Sequence, residues 1–253
     1  MKLVLDVGNS RLKWALSSGE VLPCEWVVRG VIDVRIDDLT ENLSALREVW
    51  SQYPSPDCVI AASVRAPPVN AKIADSLRAV WNVDVNFLSA VSKGWGIVNA
   101  YDEPETLGVD RYAAMVAAHA AFGGPAVVVD FGSAVTVDVV STGGEHLGGV
   151  IFPGPGYMRD SLYQRTDKII LSGELDDQIL GTSTSSAVAS GITLATCGAI
   201  EKIVENVMGR LPNCSVVSTG GGAPQILPSL NTTTIFVEDL VLQGVARMGL
   251  TPT

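Results

Sequence analysis

The chain has 253 residues, 27 acidic against 17 basic side chains for a formal net charge of −10, and 47% hydrophobic against 17% charged residues. A chain this apolar can bury enough surface to offset its ordering entropy, which excludes an intrinsically disordered protein, and its length supports one large core or two modest ones. The acidic balance excludes broad attraction to nucleic acid or an anionic membrane, so a phosphate-bearing ligand has to be held locally by backbone N–H groups, a few cations or a metal.

Leu3-Val4-Leu5-Asp6-Val7-Gly8-Asn9-Ser10 reads as a buried strand running into a glycine turn. An alternating stretch, Arg11 to Ser17, follows, then a turn at Ser18-Gly19 and a third apolar run, Val21 to Val28. Leu39, Leu43, Leu46, Val49 and Trp50 keep a helical period behind the cap candidates Asp37 and Asp38. Asp57 to Val64 reads as a strand, and Pro67-Pro68 opens a helix with Ile73, Leu77, Val80 and Trp81 on one face. Val83 to Leu88 is a further strand. Ser92 to Leu107 has no periodicity and reads as a functional loop, before a helix over Arg111 to Phe122. The apolar stretch Tyr112 to Val129 resembles a membrane span, but Gly123-Gly124-Pro125 breaks it into a buried helix and a buried strand.

The pattern then starts again. Val127-Val128-Val129-Asp130-Phe131-Gly132-Ser133-Ala134 repeats the apolar run, aspartate and glycine of the N-terminus about half a chain later. Ala134 to Ser141, a turn at Gly143-Gly144 and Leu147 to Phe152 repeat the meander. Helices are expected at Tyr157 to Gln164, Ser185 to Met208, Pro224 to Leu230 and Leu240 to Met248, with strands at Ser215 to Ser218 and Thr233 to Val237. Two βββαβαβα halves with one motif at one place point to an internal duplication, divided as 1–122 and 123–253, with mixed sheets flanked by helices.

An aspartate ending a buried strand, followed at once by a glycine turn, calls for a cationic partner, while the turn's N–H groups can bind phosphate oxygens. Asp6 and Asp130 occupy equivalent places, so the two turns are expected to grip one triphosphate, with Lys13 on the second strand able to reach it. Thr219-Gly220-Gly221-Gly222 is a third glycine site that lets the backbone approach a flat ring or a phosphate. No Walker-type or dinucleotide-binding glycine pattern occurs, and no G-x-S-x-G elbow. Gly108-Val109-Asp110-Arg111 opens a helix. Asp110 is either a cap or the acceptor of a proton from an attacking hydroxyl, and Arg111 either a surface residue or a partner for a carboxylate or a phosphate in flight. Cys24, Cys58, Cys197 and Cys214 are too scattered for a metal motif and read as reduced thiols, and His119 and His146 alone do not build a zinc site. Asp6 cuts the N-terminal apolar run too early for a signal peptide. A soluble cytoplasmic protein is expected.

Seven motifs in order resemble the type III pantothenate kinases: D-x-G-N-[ST] at Asp6 to Ser10, Y-x-x-P at Tyr101 to Pro104, G-x-D-R at Gly108 to Arg111, D-x-G-[ST]-A-x-T-x-D at Asp130 to Asp138, G-G-x-I-x-P-G at Gly148 to Gly154, G-x-x-T at Gly181 to Thr184, and T-G-G at Thr219 to Gly221. The resemblance implies an α/β fold with two ribonuclease-H-like domains of the acetate and sugar kinase/Hsp70/actin superfamily, and ATP-dependent phosphorylation of pantothenate. It implies that Asp6, Gly8, Asn9, Ser10 and Lys13 meet the ATP phosphates, with Mg²⁺ reached from Asp6 through water. Ser133 would touch ATP, and Gly220 and Gly221 would lie near the adenosine. Asp110 would be the general base. Tyr101, Gly108, Val109, Asp110, Arg111 and Thr184 would hold pantothenate, with Thr182 close enough to exchange with Thr184. Asp130 would bind a monovalent cation, K⁺ or NH₄⁺. Glu103 stands where the family usually has asparagine.

Ala187, Gly191, Ala195, Gly198 and Ala199 put small residues on roughly one helix face. They suit close packing either inside the chain or across a twofold interface, and the resemblance favours a homodimer. Two rivals remain on the same scaffold: a non-catalytic nucleotide-binding regulator, which would be expected to lose its base, and a sugar or acetate kinase.

Overall fold

The computed structural model describes residues 1–18, 24–34, 39–165 and 179–250. The chain divides into two compact units, one from Met1 to Ala121 that resumes at Asp239, the other Phe122–Glu238.

In the first unit β1 (Lys2–Val7) has β2 (Arg11–Ser17) antiparallel on one side and β4 (Cys58–Ser63) parallel on the other. β3 (Trp26–Asp33) and β5 (Val85–Phe87) complete the order β3-β2-β1-β4-β5. A central strand covered on both faces reads as an unbroken apolar run, and Leu3, Val4 and Leu5 are fully buried. The helices α1 (Leu39–Trp50) and α2 (Pro67–Trp81) lay their apolar stripes on this sheet, Leu39, Leu43, Leu46 and Trp50 from the first, Ile73 and Leu77 from the second. Trp50 lies edge-on to Trp14 at 6.1 Å and stacked on Trp81 at 5.9 Å, which fixes both helices to the strands. Asn82 ends α2 in the left-handed region.

The second unit repeats the plan. β8 (Ala126–Phe131), β9 (Ala134–Val140), β10 (His146–Pro153), β11 (Ser215–Thr219) and β12 (Ile235–Phe236) stand in the order β10-β9-β8-β11-β12. This is the same permutation as the first sheet, so the duplication inferred from the two aspartate motifs extends to topology. The motif positions also coincide in register. Asp6 is opposite Lys13 and Ala62, and Asp130 is opposite Thr136 and Thr219.

Several expectations need correction. Two helices, α4 (Pro155–Arg165) and α5 (Thr184–Met208), separate β10 from β11 before the short α6 (Ala223–Ile226), so the second half is not a strict βββαβαβα. The third strand is Trp26–Asp33, later in the chain than the expected Val21 to Val28. On it Gly30 seats the Trp14 indole, which a Cβ there would approach to 2.7 Å. Val49 lies off the buried stripe of α1 and is 39% exposed. The loop from Ser92 contains a two-stranded ladder, β6 (Lys93–Gly94) with β7 (Ile97–Val98), and a 3-10 turn at Pro104–Thr106. The following helix, α3, is Val109–Phe122.

The last helix, α7 (Leu240–Met248), belongs with the first unit, whereas the division at 122/123 left it in the second half. The Gln243 side chain accepts from Cys24 N at 2.7 Å and donates to Cys24 O at 3.0 Å, and Trp26 Nε1 donates to Asp239. Gly244 allows α7 onto α3 so closely that a Cβ would stand 1.9 Å from Ala113 O. Gly19, residues 21–23 of the Val21 to Val28 run, and the cap candidates Asp37 and Asp38 lie outside the described residues.

Candidate active site

The first corner is the β1–β2 hairpin. Asp6 is buried near the end of β1, and Lys13, its register partner on β2, brings Nζ to 3.7 Å from Oδ2. Gly8 N donates to Arg11 O at 2.9 Å and closes the turn over Asn9 and Ser10. Arg65 donates to Asn9 O, and Ser10 O accepts from Val34 N at 2.9 Å, so the turn is held from two sides. Asp6, Gly8, Asn9, Ser10 and Lys13 therefore share one place.

The second corner, in the other unit, is built around Asp130. Gly132 N donates to Ala134 O at 3.1 Å. The end of β10 then wraps the turn: Gly154 N donates to Ser133 O at 2.9 Å, and a Cβ at Gly154 would meet Gly132 O at 2.4 Å. Gly220, at φ +96°, is pressed against the same aspartate, where a Cβ would stand 2.3 Å from Asp130 Oδ1 and 2.6 Å from Phe131 N. Gly222 N donates to Phe131 O at 2.9 Å. The T-G-G turn, which the sequence offers to a flat ring or a phosphate and the resemblance places near the adenosine, is also the backbone wall of the Asp130 corner. No sequence signal assigns Gly154 to this wall.

The third cluster joins the loop after β7 to the start of α3. Arg111 is 8% exposed; its Nη1 donates to Tyr101 Oη at 3.0 Å, and Cζ lies 5.8 Å from the Tyr101 ring centroid. Asp110 Oδ1 accepts from Arg111 N at 2.8 Å, and the carboxylate leans over Gly108. Arg111 is thus a buried, oriented cation and not a first-turn surface residue. Val109 turns its side chain into the core, and its amide belongs to the first turn, where N–H groups have no partner inside the helix. Tyr112, one residue on, donates to Gly94 O at 2.9 Å, and burial pushes its phenol up to about 12.

Thr184 belongs to the second unit. Ser183 caps α5, accepting from Ser186 N at 3.1 Å, and Thr184 is its exposed first residue. It sits at an open, mainly apolar groove of about 760 Å³ between α4 and α5, lined also by Tyr157, Met158, Leu162 and Val188. Thr182 is exposed as well, and a Cβ at Gly181 would stand 2.2 Å from Ala187 N.

No cluster of three or more metal-ligating side chains occurs among the described residues. Each corner instead offers one strand-borne carboxylate beside a hairpin turn. That donor set suits a hard cation whose other ligands are phosphate, carbonyl or water oxygens, and not an all-protein cage. Burial raises the thiols of Cys24, Cys197 and Cys214, and all four cysteines are free. α5 is long and apolar enough to cross a membrane by length and composition, yet Cys197, Ile200 and Val204 on it belong to the core of the second unit.

A family model described as type III pantothenate kinase matches residues 2–206. Among curated relatives, the type III pantothenate kinase of Nitrosococcus oceani is 34% identical over 98% of this chain and 93% of its own. That of Janthinobacterium sp. is 34% identical over 99% and 98%. Among solved structures, the activator of the 2-hydroxyisocaproyl-CoA dehydratase from Clostridium difficile with bound ADPNP superposes with a TM-score of 0.54 at 12% identity, covering 98% of this chain and 93% of that one.

Proposed function

The chain belongs to the type III pantothenate kinases, and from that premise we propose how its residues divide the work. Its fold is that of the acetate and sugar kinase/Hsp70/actin superfamily. The enzyme phosphorylates pantothenate with ATP, the first step of coenzyme A biosynthesis. The relatives carry the names of kinases, and the regulator reading finds no support among them.

Phosphoryl transfer asks the protein for positioning and charge compensation, because the group in flight spreads its negative charge over three oxygens. Asp110 accepts the proton of the pantothenate hydroxyl as that oxygen bonds to the γ-phosphorus and the bond to the ADP oxygen breaks. Arg111, held against Tyr101, offsets negative charge on the acceptor side. The Gly8–Ser10 turn and Lys13 hold ATP phosphates, Ser133 touches ATP, and Gly220 and Gly221 serve the adenosine. Tyr101, Gly108, Val109 and Thr184 orient pantothenate. Asp6 would hold Mg²⁺ through water, and that ion would supply further charge compensation; Asp130 would hold K⁺ or NH₄⁺.

The homodimer is supported by α5. Ala187, Gly191, Ala195 and Gly198 are all exposed, and among the described residues nothing lies within 4 Å of a Cβ built on Gly191 or Gly198. Those two glycines meet no close neighbour among the described residues of their unit, which favours the interface of the two readings. The free thiols agree with a reducing cytoplasm.

The observation that carries the mechanism is the junction of Asp110 and Arg111 at the start of α3, with Tyr101 bonded to the arginine. Asp110→Asn is expected to keep the fold and ATP binding while lowering turnover by roughly 10²–10⁴-fold, the scale of a positioned base. Unchanged kinetics would remove Asp110 from the reaction.

A further inference from the structure

One amide side chain holds both ends of the turn that carries Tyr101. Asn99 Oδ1 accepts from Tyr101 N at 3.0 Å, and Asn99 Nδ2 donates to Pro104 O at 3.1 Å. Asn99 N donates to Ser92 O at 2.9 Å, which hangs the turn from the base of the β6–β7 ladder. The ladder is fixed to α3, where Tyr112 Oη donates to Gly94 O and the Tyr112 ring meets Trp95 edge-on at 6.3 Å. The path closes on itself. α3 carries Arg111 and Tyr112; Tyr112 holds the ladder, the ladder holds Asn99, Asn99 holds Tyr101, and Tyr101 returns to Arg111.

An acceptor and a donor on one short planar group are what this place requires. Aspartate keeps the acceptor for Tyr101 N but loses the donor to Pro104 O, serine keeps a weaker version of the first bond, and alanine loses both. We propose that Asn99 is a positioning residue of the acceptor site: it sets the reach of Tyr101, so that Tyr101 and Arg111 meet pantothenate as a preassembled pair. This rests on the reading of those two residues as pantothenate-binding groups. The ATP-facing groups lie outside the circuit, so the effect should fall on one substrate only.

The test compares Asn99→Ala, Asn99→Asp, Asn99→Ser, Tyr101→Phe, Arg111→Lys and the Asn99→Ala/Tyr101→Phe double variant, with KM for each substrate, kcat and thermal midpoint measured for all. A lost orientation costs about tenfold or more, so Asn99→Ala should raise the pantothenate KM by that factor with kcat and the ATP KM nearly unchanged. Asn99→Asp and Asn99→Ser should fall between alanine and wild type, and they keep the comparison open if alanine does not fold. The double variant should be no worse than the more impaired single one, because the asparagine acts through the tyrosine. If Asn99→Ala leaves the pantothenate KM alone while Tyr101→Phe raises it, the role of Asn99 is refuted and the site stands. If Tyr101→Phe and Arg111→Lys are both silent, the site itself is wrong. Equal rises in both KM values with a fall in thermal midpoint would also overturn the proposal, leaving Asn99 a general brace.

Discussion

The carboxylate of Asp110 occupies the space that a side chain on Gly108 would need: a Cβ there would stand 2.6 Å from Oδ1. The glycine of G-x-D-R is therefore required for room over the aspartate and not for an unusual backbone angle, since Gly108 has no positive φ.

Gly108→Ala follows directly. The obstructing atom is the end of a short side chain, which can rotate away at little cost to folding. Stability should fall by less than about 1 kcal/mol, within the range of modest substitutions. The displaced carboxylate would no longer face the hydroxyl, and misplacement of a reacting group can cost up to about 10²-fold in rate. Chemical denaturation and steady-state kinetics on one preparation separate the two effects. A loss of stability in step with activity would show that the contact is structural.

Gly220 presents the opposite case. A Cβ built there would stand 2.3 Å from Asp130 Oδ1 and 2.6 Å from the backbone of Phe131, and its φ of +96° is hostile to any L side chain. Backbone cannot swing aside as a carboxylate can. Gly220→Ala should therefore destabilise the protein by about 2 kcal/mol or more, since strain at such a φ alone costs roughly 1–3 kcal/mol. It should also weaken the proposed dependence on K⁺ or NH₄⁺, because the obstructed atom belongs to Asp130. A variant with wild-type denaturation and cation dependence would separate the T-G-G turn from that corner.

The contrast shows what sequence could convey. An apolar run stopped by aspartate and glycine names a buried strand and its turn at once, and both copies at Asp6 and Asp130 were legible for that reason. The Tyr101–Arg111 cluster was legible only as residue types, because no period connects a loop to a helix start. The ladder at Lys93–Val98 was missed because side chains fix it to particular carbonyls, as Tyr112 does to Gly94, and such bonds leave no repeating pattern. The placement of α7 was out of reach for a similar reason: the bonds between Gln243 and Cys24 join residues from opposite ends of the chain.

Tyr112 gives an alkaline test of that anchoring. It is fully buried, and desolvation of the phenolate is what pushes its phenol to about 12. The unfolded group ionises near about 10. Between those values the unfolded chain loses the proton and the folded one keeps it, so the stabilisation is complete below about pH 10 and declines as pH rises toward 12. The difference in phenolate absorbance between the native protein and Tyr112→Phe should show the Tyr112 phenol ionising only toward pH 12. Denaturation midpoints should fall across the same interval, less steeply in Tyr112→Phe. A difference titration with its midpoint near about 10 would mean that the α3–ladder contact opens in solution.

The exposed small-residue face of α5 yields the final prediction, through Gly191. Among the described residues nothing lies within 4 Å of a Cβ at this position, so they leave room for a side chain there. Glycine is also a poor residue inside a helix, and replacing it with a better helix former is worth roughly 0.5–1 kcal/mol to the monomer. Gly191→Glu should therefore leave the folded unit as stable as before, or more so, while placing two like charges where twofold-related helices would meet. Sedimentation should then report a species of 26.6 kDa for the variant and twice that mass for the parent. Activity should fall with the dimer, because Thr184 opens the same helix and its groove runs along α5 past Gly191. A variant that stays dimeric and fully active would move the interface away from α5 and leave its small residues without a function.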